Sequence, residues 1–357
     1  MKKFNLVLFG LMAFSTLFLT ACNSDDDNAP SVEETGEFAN GVFILNEGGY
    51  GNGNSSLSFL SDAGVLQNNV YENINGELLG DTAQCLYADE DRLFIVLNGS
   101  GTIEVVDRYT LEKIGTVSTG LSNPRYFLIE NGKGFVSNWG DPTNPADDFI
   151  AVIDLTSYSV TSTIPVVEGP ERMVAENGKI YVAHSGGWNY GNQISVINAS
   201  SLNVSAEIPV GDVPNSLEIA NNKLYVLCGG IPAWTGNETL GEFQVIDIQS
   251  NATILSLDFP ESQHPANLKI SGNELFYTVD SDVFNMEANP NVLPEQSLFT
   301  ADVVGGIYGF AVENNQIYIG DAVDYTSNGK IYLYDTSGNL VDNKTVGISP
   351  NGFLFNN

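Results

Sequence analysis

The feature that most limits what this chain can become is a repeat. Four prolines, Pro124, Pro170, Pro214 and Pro265, open similar segments 46, 44 and 51 residues apart, and Pro350 opens another after 85 residues, the span of two units. One unit reads "NPRYFLIENGKGFVSNW", a loop, then "FIAVIDLTSYSVTSTIPV"; the next reads "GPERMVAENGKIYVAHSGGW", a loop, then "QISVINASSLNVSAEIPV". A segment this short cannot enclose a core alone, so successive units must bury their apolar surfaces against one another.

Each unit holds four short apolar runs, rich in β-branched and aromatic residues and separated by turn residues such as Asn131-Gly132 and Asn177-Gly178. Such runs read as strands and such dipeptides as hairpin turns. Beyond the apolar N-terminus, no stretch keeps apolar residues at i, i+3, i+4 and i+7 for three turns, so helix is nearly absent from the expectation. Four antiparallel strands repeated at about 45 residues predict an all-β fold, a β-propeller.

Complete units begin near residues 80, 122, 168, 212, 263 and 306, which makes six. A further stretch, "GVFILNEGGYGNGNSSLSFLSDAGVLQNNVYE", carries three strands and lacks the first. The C-terminal "SPNGFLFNN" repeats the opening of the other units, so residues 353–355 are expected to supply the missing strand and close a seven-bladed ring of four-stranded antiparallel blades. Closure completes the first sheet, whose inner edge would otherwise stay open. An open sandwich with an unrelated tail would leave the echo at Pro350 without a reason.

In such a ring the loops between second and third strands share one face with the connections between blades. Six of the seven are long here, "NEGGYGNGNSS", "NWGDPTNPADD", "HSGGWNYGNQ", "CGGIPAWTGNETLGE", "VDSDVFNMEANPNVLPEQS" and "GDAVDYTSNGK", and the seventh is the short "NGSG". Turns on the opposite face, such as "ENGK" and "ANNK", are short. All three tryptophans, Trp139, Trp188 and Trp234, fall in the long loops with Tyr50, Tyr190, Phe284, Met286 and Tyr325. Arg125, Arg172, His264 and Tyr308, with Asn215, Asn267 and Asn351, open first strands on the same face. Aromatic area and a few polar groups gathered on one side of a rigid scaffold point to a ligand site at the channel mouth. The expected contacts are Tyr50, Arg125, Trp139, Arg172, Trp188, Tyr190, Trp234, His264, Phe284 and Tyr308. For any one aromatic the competing role is a lid on its own blade, and for the arginines a bond to a neighbouring carboxylate.

The N-terminus reads as an export signal over residues 1–21: Lys2 and Lys3, an apolar run over residues 6–19, then Leu19-Thr20-Ala21-Cys22. That ending resembles a lipobox, cut before Cys22, whose thiol then carries lipid. Residues 22–39 are polar and acidic and read as a flexible tether; the propeller is expected over 40–357. An acidic run after a lipidated cysteine is similar to the surface-export signal of Bacteroidota lipoproteins. An outer-membrane lipoprotein exposed at the cell surface is therefore expected, with the periplasmic face as the alternative. The formal charge of −31, against only 13 Lys and Arg, repels nucleic acid and anionic head groups, so membrane contact is expected only through the lipid. A monomeric propeller is expected.

Several chemistries have no residues to perform them. Two histidines, His184 and His264, exclude a multi-histidine copper or zinc centre. No H-E-x-x-H, G-x-S-x-G or C-x-x-C is present, and Cys85 and Cys228 alone make no disulfide framework. "DSDVFNMEANP" begins like a calcium loop but lacks its fifth-position oxygen and sixth-position glycine. The expectation is a binding protein with no catalytic residues, no metal and no cofactor.

The stretches "GVFILNEGGYGNGNSSLSFL", "GTIEVVDRYTLEKIGTV" and "NPRYFLIENGKGFVSNW" resemble the YncE-like propeller lipoproteins of Bacteroidota, over most of the chain from Gly41 to Phe355. That resemblance implies the propeller fold. It also implies capture of a small molecule at the surface, with cobalamin or a related corrinoid as ligand rather than cofactor, and an outer-membrane transporter as partner. The shared motifs belong to the scaffold, and they carry over no ligand contact. A protein-interaction or adhesion scaffold is the alternative function, and an enzyme such as a lactonase or lyase on the same fold comes third.

Overall fold

The computed structural model describes residues 36–141 and 143–357. The signal segment, Cys22 and the tether up to residue 35 lie outside the described residues. The chain forms seven antiparallel sheets of four strands each. The inner strands, in ring order, are Pro350–Asn356, Ala83–Ala88, Pro124–Glu130, Pro170–Glu176, Pro214–Ala220, Ala266–Ser271 and Ile307–Glu313. Each packs on the next, and the last packs on the first. They are numbered here as blades 1 to 7.

Blade 1 is closed as the sequence implies. The strand Gly41–Asn46 pairs on one side with Ser56–Ser61 and on the other with Pro350–Asn356, in the register Val42 to Phe355 and Ile44 to Phe353. A clasp secures the seam. Asn356 is fully buried and donates from Nδ2 to the carbonyls of Phe38 (2.5 Å) and Arg108 (3.0 Å). Its Oδ1 accepts from Arg108 Nε at 2.6 Å. Phe38 in turn donates its amide to Tyr109 O at 3.1 Å and packs edge-on against Phe59, 5.2 Å between rings. The packed body thus begins slightly before residue 40.

Position in the blade explains strand composition. Second and third strands are covered on both faces by neighbouring blades, so their central residues are buried in continuous runs, as in Lys179–His184 and Gln193–Asn198. Outer strands such as Asn203–Pro209 bury only part of one face and are mostly polar or half-exposed. In five blades the third strand ends in an Asp or Asn that caps the following turn. Asp154 Oδ1 accepts from the amides of Thr156 (3.0 Å) and Ser157 (2.8 Å), and Asn198 Oδ1 does the same for Ser200 and Ser201 (both 2.9 Å). These side chains imitate a backbone turn.

Two segments depart from the sequence reading. In blade 1 the fourth strand shrinks to Leu66–Gln67, and Val70–Asn75 forms a six-residue helix instead of extending it. Val70 and Tyr71 from that helix are buried in the core shared with blade 2, which the short strand leaves uncovered. In blade 6 the expected long loop between second and third strands is a tight turn at Asp280-Ser281, and Asp282–Glu287 is the third strand. The long segment, residues 288–298, follows that strand and lies on the opposite face. Among the described residues no helix is long and apolar enough to cross a membrane.

Candidate functional site

Every inner strand carries one residue more than the stretch of second strand it pairs with. The extra position falls at Gln84, Arg125-Tyr126, Glu171-Arg172, Asn215, Asn267-Leu268, Tyr308 and Asn351. These β-bulges all sit near the same end of the inner strands, toward the long loops. A bulge bends its strand and re-aims a side chain. Seven at one level make a polar collar around the channel mouth. The collar is also a belt that ties blades together. Asn351 Nδ2 donates to Ala83 O (2.8 Å), Asn98 Nδ2 to Pro124 O (3.2 Å), Ser185 Oγ to Pro214 O (2.7 Å) and Asn215 Nδ2 to Pro265 O (2.8 Å). Each bond ends on the first strand of the next blade, or just ahead of it.

Two aromatic clusters stand on this collar. In the first, the Arg125 guanidinium pairs with Glu171 at 2.9 Å and lies 4.0 Å over the Trp139 ring. Burial alone would lower the Arg125 pKa, but the Glu171 charge holds it above its usual value. Trp139 meets Trp188 edge-on at 6.5 Å, and Trp188 is 71% exposed. The loop carrying Trp188 is folded on its own base. Asn189 Nδ2 donates to Glu168 Oε1 at 2.7 Å, and the Gly191 amide to Ser185 O at 3.0 Å. Gly186 turns here with φ +100, where a Cβ would meet Gly191 N at 2.4 Å. Only glycine permits a hairpin this narrow, and the narrow base leaves the indole no place to fold down.

Beneath this loop His184 is fully buried, with Nε2 2.8 Å from Ser195 Oγ and Nδ1 3.3 Å from Glu168 O. Burial pushes its pKa down to about 4. Nearby Asp148, also buried, accepts the Gly169 amide at 2.6 Å, and burial pushes its pKa up to about 6.

The second cluster joins blades 7 and 1. Tyr308 donates its hydroxyl to Glu47, and Asn351 Nδ2 reaches the same carboxylate oxygen at 3.3 Å. Tyr325 stacks edge-on against Tyr308 at 5.4 Å. Burial raises the Glu47 pKa, against the Tyr308 hydrogen bond and the Arg125 charge, which lower it. Burial also raises that of Tyr308, which stays a phenol.

Other expected contacts are scattered. Trp234, in the short helical turn Ala233–Thr235, is 82% exposed, Tyr50 is 83% exposed and Tyr190 44%. All three stand on the rim, with no partner ring among the described residues. His264 Nδ1 lies 2.7 Å from Gly229 O, and Nε2 is 3.5 Å from Glu238. Phe284 and Met286 are corrections: both lie in the third strand of blade 6, buried in its core, with Phe284 stacked on Tyr277 at 5.2 Å. Arg172 is also misplaced by the sequence reading. It points into the channel below the collar and lies over the Tyr126 ring at 4.5 Å. The residues not anticipated are the carboxylates Glu47 and Glu171 and the channel residues Gln84, Tyr126 and Lys269. Among the described residues no group of three His, Cys, Asp or Glu is placed to hold a metal. The niche between Trp139 and Trp188 is only about 10 Å³.

Comparison with known proteins supports the architecture. A family described as a domain of unknown function, DUF5074, matches residues 40–346, and the chain belongs to that family. No curated protein matches the sequence. Among solved structures, the chain is similar to a quinonprotein alcohol dehydrogenase-like protein from Bacteroides thetaiotaomicron, with 15% identity, 90% of this chain and 79% of that one covered, and a TM-score of 0.64. It is similar to a functionally unknown protein from Desulfotomaculum acetoxidans, at 14% identity, 88% and 98% coverage and a TM-score of 0.65. Hydrazine synthase of Kuenenia stuttgartiensis gives 18% identity, 74% and 86% coverage and a TM-score of 0.59. Identities this low show a shared fold and carry no activity across.

Proposed function

We propose that this member of the DUF5074 family is a surface binding protein that captures a bulky, flat, amphipathic small molecule on the aromatic rim. A corrinoid such as cobalamin is the ligand class. The protein is anchored by lipid at Cys22 in the outer membrane, hands its ligand to an outer-membrane transporter, and catalyses no reaction. One observation carries this reading: exposed indoles and phenols stand on one face, around a collar of donors and acceptors. Rings supply area at low entropic cost, and the collar supplies hydrogen bonds to amide-bearing edges. Glu47 and the Arg125–Glu171 pair supply polar groups for the periphery of such a ligand.

Calorimetry with cyanocobalamin tests the ligand. The expected result is saturable heat at micromolar concentrations, lost when Trp139, Trp188 and Trp234 are all replaced by Ala. Absence of heat and of any thermal shift removes the corrinoid. A triple variant that binds like the parent removes the rim. A protein partner is the second reading, favoured by Trp234 and Tyr50, which project far into solvent from blades 5 and 1 with no contacting ring. Under that reading the triple variant loses a cell-surface partner while cyanocobalamin gives no heat in either form. Membrane fractionation of Cys22→Ala tests the anchor: release into the soluble fraction is expected.

A further inference from the structure

We propose that the central channel, beneath the collar, holds a small oxyanion between Arg172 and Lys269. The chain carries a formal charge of −31 with only 13 Lys and Arg, yet two of those cations line one internal cavity. The cavity measures about 100 Å³ and is also lined by Gln84, Tyr126 and Asn351. That leaves room for several waters, and so for a phosphate, sulfate or small carboxylate.

Two of the cations around the channel are already paired. Glu171 is taken by Arg125 at 2.9 Å, and Glu218 by Lys269 at 2.9 Å. Arg172 has no ion pair and no hydrogen-bond acceptor among the described residues; its one close partner is the Tyr126 ring. Tyr126 and Cys85 beside it cannot compensate, because burial raises both their pKa values and keeps them neutral near pH 7. Tyr126 already receives a hydrogen bond from Gln84 Nε2 at 3.2 Å, which fixes the ring on which the guanidinium rests.

The result is a pre-positioned planar fork of donors facing a cavity. A guanidinium fork matches two oxygens of a carboxylate or phosphate. The Lys269 ammonium keeps donors beyond the one given to Glu218. The site does not depend on what the rim binds.

Thermal unfolding of the protein at constant ionic strength, with sodium chloride exchanged stepwise for sodium phosphate, reads this site directly. The melting temperature is expected to rise and to saturate at roughly millimolar phosphate. Parallel series in sulfate and acetate separate a tetrahedral oxyanion from a carboxylate; saturation by acetate alone keeps the site and names the carboxylate as its ligand. Arg172→Gln is expected to weaken binding by at least about tenfold, the size of a lost charge-assisted bond, whereas Trp234→Ala binds like the parent. Circular dichroism checks that Arg172→Gln folds, and Lys269→Gln takes its place if it does not. The proposal is overturned if none of the three anions stabilises the parent more than chloride does. It is equally overturned if the folded channel variant is stabilised as much as the parent.

Discussion

The two faces of the ring are built by different rules. On the face away from the rim, turns are short and stabilise themselves. Asn131-Gly132, Asn177-Gly178, Asn221-Asn222 and Asn314-Asn315 each place both central residues at positive φ, the twist that a two-residue hairpin requires. The Asp and Asn caps of the third strands add local hydrogen bonds on that same face. On the rim face, loops differ in length from blade to blade, and they are held by long-range contacts such as Asn189 to Glu168 and Gly51 to Asp81. One face sets the register and the other displays side chains. Sequence change on the first should cost stability, and on the second, binding.

Several experiments break or sharpen that contrast. The largest effect is expected from truncation after Ile348, which removes the closing strand and the Asn356 clasp. Both faces then lose their frame, and scanning calorimetry should show no cooperative transition. A truncated chain that still melts cooperatively would mean that the ring is held elsewhere.

Next comes pH. On the rim side, His184 has a folded pKa near 4 against 6.5 in the unfolded chain. The unfolded state therefore binds more protons between those values, and the His184 contribution falls as pH drops from 6.5 to 4, by about 3 kcal/mol in all. Asp148 has the opposite sign. Its folded pKa near 6 lies above 3.8, so its contribution is complete below 3.8 and is lost as pH rises through 6, again by about 3 kcal/mol. Denaturant midpoints from pH 4 to 7 should therefore vary little in the parent, rise with pH in Asp148→Asn, and fall with pH in His184→Gln. On the other face, Asp154 and Asp247 are held below the ordinary carboxylate range by bonds to Ser157 and Ser250. Their contribution is present above pH 3.8 and is lost only as pH falls through the lower folded values, so acid reaches the two faces in different windows.

Gly178→Val places a β-branched residue at φ +77 and should lower stability by about 1–3 kcal/mol, with ligand affinity unchanged. The smallest stability change is expected for Trp234→Ala, within about 0.5 kcal/mol, alongside a measurable loss at the rim.

The same contrast explains what could be read from the chain. The prolines, the Asn-Gly turns and the Asp or Asn at third-strand ends are local signals, so blade number and closure were legible. Blade 6 misled because Asp280, Ser281 and Asp282, followed by Asn289-Pro290, look like one polar loop. The alternation of Val283, Phe284 and Met286 marked the strand hidden inside it. The collar was legible only as a row of polar residues after the prolines. The bulges come from pairing with a second strand some ten residues away in the chain, and no local pattern announces them. Hence Arg125 and Arg172, which follow Pro124 and Pro170 at one and two residues, looked equivalent. One reaches Glu171 and Trp139, and the other points down the channel.

The seam at Phe38 and Asn356 has a mechanical consequence. The chain joins the ring at Gly41, on the face opposite the rim, and runs from there along the axis of its strand, flanked on both sides by antiparallel neighbours. A force drawn through the N-terminal segment would load those two ladders in shear, all rungs together, instead of peeling them one at a time. A pull on Gly41 along its strand is therefore opposed by every rung of both ladders at once.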